Sequence, residues 1–167
     1  MTTLELLRHQ LETSRDWFLP GARDMADAAM TFPTPQGGNH PTWLIGHLTL
    51  AEDQMRAMVT GEPVEAEAYK ATMDMGSEPS ADASKYPPYD EMLAAWEASR
   101  AKTLSLLDTL NEADLDQPPK NVPAEAASMS IFKNVATVLN LIVQHQLGHV
   151  GQLSDARRAA GRKPLVA

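Results

Sequence analysis

The sequence predicts an all-α protein, a four-helix bundle with long crossover connections. Apolar residues recur at helical spacing along nearly the whole chain, and no stretch alternates long enough to read as a strand. Cap and stop residues bound four long segments. The connections after the second and third segments are long, with the Pro, Gly and Ser content of loops. Together these describe a bundle with crossovers rather than a simple up-down-up-down array.

Leu4, Leu7, Leu11 and Phe18 form the first stripe, with Leu6 and Trp17 beside it and Glu5, Arg8, Glu12 and Arg15 off it. Pro20-Gly21 ends or kinks this helix, which is placed at 3–19, with "ARDMADAAM" as a short continuation. "TFPTPQGGNHP" is loop. The second helix, 41–60, opens on Pro41 with Asn39 or His40 as its cap and stops at Gly61. Residues 61–88 show no sustained period, a long connection of the kind that crosses over or covers a site. The third helix, 88–110, aligns Met92, Trp96, Ser99, Thr103, Leu106 and Leu110, flanked by Leu93, Leu104 and Leu107. The fourth, 129–160, is expected to start from Ser128 or Ser130 and to stop at Gly161 before Pro164. Its apolar side carries Ile131, Val135, Val138, Leu139, Ile142 and Val150.

A length of 167 residues suits a single domain, 1–167, with one sizeable core. The chain is acidic, 14 Lys+Arg against 22 Asp+Glu, a net charge of −8, which gives no general attraction for phosphate backbones. Arg157, Arg158, Arg162 and Lys163 cluster where cations offset a helix dipole. No nucleic-acid partner is expected. The absence of cysteine removes disulfides, thiolate ligands and any nucleophilic thiol of the protein's own. The N-terminus is charged throughout, without the apolar core of a signal peptide, and no stretch is apolar enough to span a bilayer. The expectation is a cytoplasmic protein without a membrane partner.

The chemistry concentrates in "IVQHQLGHVGQL", residues 142–153. His145 and His149 are four apart, so one turn of helix stacks them on one face, where both reach a single cation at roughly 2.0–2.1 Å. His47 lies in "WLIGHLTL", on the core stripe with Trp43, Leu44, Leu50 and Gln54. It reads either as a core histidine satisfied by a carbonyl or as a third ligand. Three neutral imidazoles would leave coordination positions open, as catalytic sites do. His9, beside Glu5 and Glu12, reads as a surface residue, and His40 as cap or loop. Gly148 and Gly151 each cost about 1 kcal/mol in a helix interior, so they either admit a packed helix or keep room for a substrate. Gln144, Gln146 and Gln152 are candidates to orient a ligating ring, with Gln152 on the side of His149. Glu52 and Asp53 follow His47 by five and six residues, which turns them away from it. Glu-x-x-His pairs, H-E-x-x-H, a phosphate-binding loop and G-x-S-x-G are missing, and the methionines read as core and loop filler.

"GGNHPTWLIGHL" and "HQLGHVGQLSDARRAAGRKP", with the helix lengths and two long loops, resemble the DinB/YfiT-like superfamily of metal-binding bundles over most of the chain. The resemblance implies a histidine triad at His47, His145 and His149 and a divalent metal ion, zinc or nickel. Some relatives are thiol-dependent transferases or isomerases that use bacillithiol, mycothiol or glutathione, and others are described as metal-dependent hydrolases. The expected function is therefore a metal-dependent enzyme that activates a low-molecular-weight thiol toward a small-molecule substrate. A thiol would have to be borrowed, because the chain has none. The alternatives are hydrolysis by metal-activated water and a non-enzymatic, stress-related bundle with a structural metal. The family also implies a homodimer, for which Leu6, Trp17 and Met30 are the candidate apolar contacts.

Overall fold

The Thr2 hydroxyl accepts from the Glu5 N–H while the Glu5 carboxylate accepts from the Thr2 N–H, and this reciprocal box starts α1, Thr3–Arg23. The computed structural model describes residues 1–165. α1 runs past residue 19, through the Pro20 expected to end it. At the C-terminal end of α1, beyond the proline, Arg157 from the far end of the chain donates to the otherwise orphaned Gly21 carbonyl at 3.1 Å and to Asp24 at 2.8 Å. Gly21 itself lets Leu165 lie against the helix, where a Cβ would overlap the leucine side chain.

α2, Pro41–Thr60, is capped by the His40 ring, which accepts from the Trp43 N–H at 3.1 Å, and it ends on Gly61 at φ 77°. The following connection is not structureless. A 3₁₀ turn at Ala66–Tyr69 leads into a short helix, α3, Lys70–Met73. α4 spans Tyr89–Leu107 and α5 Glu112–Leu115. The last long helix, α6, is Val135–Ala159, and it begins later than 129. Its cap is Asn134, in a reciprocal box with Thr137, and a 3₁₀ turn at Ser130–Phe132 precedes it and leaves Ile131 exposed. Among the described residues there is no β-strand, and no helix is long and apolar enough to cross a membrane.

The core has two apolar clusters, one around Phe18, Leu44, Met92, Trp96 and Leu153, the other around Leu7, Leu11, Val59, Leu107 and Leu139. α1 and α6 pass from the second cluster to the first along the chain, while α2 and α4 pass from the first to the second. The helix directions are therefore up, down, down, up. α1 packs on α6 and α4, and α2 packs on α4 and α6, so successive long helices α1 and α2 lie across the diagonal. α2 and α4 are parallel neighbours, which forces residues 61–88 to return along the bundle: the crossover.

Between the clusters lies a buried polar layer. Ser14 of α1, Glu52 of α2, Arg100 of α4 and Gln146 of α6 are each at most 3% exposed. Of the candidate interface residues, Leu6 and Trp17 are exposed, whereas Met30 packs half-buried against the first cluster.

Candidate metal centre

His47 and His149 are buried, and His145 is half-buried between them. The Nε2 of His145 lies 3.2 Å from that of His47 and 3.1 Å from that of His149. One ligand atom from each of the three falls within 4.8 Å of the others. Nitrogens bound at 2.1 Å in a tetrahedral set would be about 3.4 Å apart, so the spacing fits a cation of that kind.

The outer ring nitrogens decide which way the lone pairs point. His47 Nδ1 lies 2.9 Å from the Met73 carbonyl, which only accepts, so Nδ1 carries the proton and Nε2 offers a lone pair. His149 Nδ1 lies 3.0 Å from Gln152 Oε1, which also accepts from Asn39 Nδ2 at 2.9 Å, and the same tautomer follows. Two lone pairs thus face the Nε2 of His145, the arrangement a cation would satisfy.

Burial is the first cause of the low basicity of these rings. It pushes His149 down to about 4, with the Gln152 hydrogen bond opposing it and His47 adding to it. Burial and then the charges His149 and His47 would carry push His145 down to about 4. His47 is lowered by burial, against the Met73 carbonyl and the Asp74 carboxylate. All three are neutral near pH 7, the form that binds metal.

The second helix and its covering segment build one wall. Trp43 stacks on His47 with ring centroids 4.5 Å apart and planes 15° from parallel, and its indole N–H donates to Ser77 Oγ at 3.0 Å. Gly46 leaves room for the Met73 side chain to pack on α2 beside this wall, because a Cβ there would overlap Met73 Sδ. On α6, Gly148 and Gly151 are exposed with no atom within 4 Å of where a Cβ would sit. Helix packing is therefore not their reason.

The other sequence candidates lie elsewhere. His40 is fully buried at the α2 cap, where its Nε2 lies 3.1 Å from the Ser80 carbonyl, and His9 is exposed beside Trp17. Gln144 is exposed, and Gln146 faces the polar layer rather than a histidine nitrogen. Glu52 pairs with Arg100, and Asp53 pairs with Arg56 and accepts the N–H groups of Glu65 at 2.5 Å and Ala66 at 2.7 Å. Sequence reasoning missed Asn39, Met73 and Asp74. The "GGNH" run before helix 2 was the only available signal for Asn39, and a backbone carbonyl such as that of Met73 leaves none.

A family model described as the DinB superfamily matches residues 10–153. No curated protein matches the chain significantly.

Proposed function

The chain belongs to the DinB superfamily, and on that premise we propose that it is a metal-dependent enzyme. In this reading His47, His145 and His149 hold a divalent cation, zinc or nickel, beside which a low-molecular-weight thiol reacts with a small-molecule substrate. Bound there, such a cation supplies Lewis acidity and favours the deprotonated form of an incoming thiol.

The residues do the rest. Met73 and Gln152 keep two rings in the tautomer that turns Nε2 inward. Burial keeps the rings neutral. The exposed flank at Gly148 leaves the approach to half-buried His145 uncrowded. The observation that favours thiol chemistry over hydrolysis is the engagement of the nearby buried carboxylates. Glu52 and Asp53 are both tied into ion pairs, so neither is free to take a proton from water.

Hydrolysis has one observation in its favour, the Asp74 carboxylate whose charge acts on His47. The deciding experiment is metal analysis of untagged protein followed by a paired screen, thiol conjugation against ester and amide hydrolysis. Zinc- or nickel-dependent conjugation supports the proposal. Hydrolysis lost in Asp74→Asn, without conjugation, overturns it for the alternative. Stoichiometric metal with neither activity, and loss of the fold on chelation, would leave the metal a structural role.

Self-association belongs to the same proposal. Leu6, Trp17 and Leu147 are exposed on α1 and α6, the apolar surface a second copy would cover. Light scattering at tens of micromolar tests it, and a monomer there counts against a dimer.

A further inference from the structure

The polar layer joins all four long helices through one side chain. Arg100 donates to both Glu52 oxygens at 2.9 Å, to the Leu11 carbonyl at 2.6 Å, to Ser14 Oγ at 3.1 Å and to Gln146 Oε1. Gln146 Nε2 in turn donates to the Ser14 carbonyl at 2.8 Å. Every partner is buried, and every donor on the guanidinium that points inward has an acceptor.

Stability is a weak reason for this arrangement. Ions taken out of water lose hydration that their attraction only partly restores, and apolar replacement of a buried pair often leaves stability unchanged or raised. What the layer specifies is height. Apolar faces above and below it tolerate sliding, whereas a slide that moves Gln146 or Glu52 away from Arg100 strands a buried polar group among Leu, Ile and Phe.

The candidate ligands adjoin that layer on the two helices that must agree. His145 is the residue before Gln146 on α6, and His47 precedes Glu52 by five on α2. His145, Leu48, Glu52, Arg100 and Gln146 line one narrow crevice. A one-turn slip of α6 along α2 would move its histidines about 5.4 Å, far beyond the tolerance of a bond near 2.1 Å. His145 is also the one ring of the three with no side-chain or backbone partner on Nδ1 among the described residues, so its placement depends on the backbone that carries it.

We infer that Arg100, Glu52 and Gln146 form a register device, positioning residues that hold α6 at the height where His145 and His149 meet His47. The inference rests on the metal-binding reading above. It separates two properties that ordinary core damage would move together: metal affinity falls while fold stability does not.

The test replaces the layer with apolar residues of similar volume, Glu52→Leu/Arg100→Met/Gln146→Leu, in the full chain. Metal-free protein is compared by circular dichroism and urea midpoint, and cobalt(II) binding by titration of its visible d–d absorption. The expected result is a folded protein with an unchanged or higher midpoint, about tenfold or more weaker for cobalt, and with an altered spectrum. A folded triple variant with wild-type cobalt affinity and spectrum overturns the inference. If the triple variant does not fold, Gln146→Leu alone, which leaves the Arg100–Glu52 pair in place, takes over the same measurements: weakened cobalt binding supports the device, and wild-type binding overturns it. Failure of the metal reading looks different: wild-type protein would then bind no cobalt, or bind it equally well after His149→Ala.

Discussion

Asn39 Nδ2 donates to Gln152 Oε1 at 2.9 Å, tying the loop before α2 to a side chain of α6. The same oxygen accepts from His149 Nδ1 at 3.0 Å, so Asn39 fixes the amide orientation that fixes the imidazole. Asn39→Ala should lower zinc affinity about tenfold, the lower end for such outer partners because water reaches this half-buried amide. The urea midpoint should hardly move. Competition titration against a chromogenic chelator measures the first quantity, and unchanged affinity would remove Asn39 from the site.

His149→Ala should abolish stoichiometric zinc or nickel binding, a loss larger than the roughly 10–100-fold expected of an outer partner. Far-ultraviolet circular dichroism should keep its helical signal, since stability rests on the two apolar clusters. A variant that retains its metal by mass spectrometry of the native protein would rule the site out.

Metal-free protein should lose stability as pH falls from about 6.5 toward 5. His145 and His149 are held at about 4 in the fold and rise toward 6.5 when unfolded, so over that window the unfolded chain binds more protons. The contribution is complete above about 6.5 and is lost on acidification. Carboxylates held low, such as Asp27 and Glu112, stay ionised in the fold and titrate in the unfolded chain mainly below this window, so they add little to the slope. Urea midpoints at about pH 7 and about pH 5 measure it, and His145→Gln should shrink the difference without removing it, because His149 and the buried His40 and His47 are lowered too.

Gly148→Ala and Gly151→Ala should each raise stability by about 0.5–1 kcal/mol, because nothing stands where the methyl would go. Gly46→Ala should do the opposite, since its methyl must displace the buried side chains of Met73 and Met92. Thermal melts rank the three. A stabilised Gly148→Ala that has also lost activity would show that the space is used in turnover.

Trp96→Phe should be mild for so buried a residue, within about 1.5 kcal/mol, where truncation to alanine costs about 3–5. Its indole Nε1 is buried without a hydrogen-bond partner, and phenylalanine removes that unmet donor along with some volume. The ring stays near Phe18 and under Arg100. Chemical denaturation provides the number, and a loss near that of alanine would mean the N–H is satisfied after all.

The long helices could be read from period and punctuation, and Gly61 ended α2 as its conformational freedom requires. Helix ends set by distant partners could not. Arg157 caps the last turn of α1 beyond Pro20, and Asn134 outcompetes Ser128 and Ser130 because Thr137 completes its box. The pairing of His145 with His149 follows from four-residue spacing alone, whereas the approach of His47 depends on how two helices dock. The polar layer was invisible for a related reason. Glu52, Arg100 and Gln146 are residue types that usually face solvent, and only the meeting of four helices shows that they face one another.

His47 and His145 stand 98 residues apart along the chain. During synthesis His47 emerges long before its companions, and a nascent chain that ends before α6 presents a single imidazole at this place. A cation held by all three rings would therefore find its full ligand set only after α6 has docked, unlike the metal of small zinc modules that fold around it. Such a cation would be the last component to arrive, and by binding the finished fold in preference to the unfolded chain it would draw the folding equilibrium toward completion. An occupied site is in that sense a certificate that all four long helices have been made and that α6 has closed against α2.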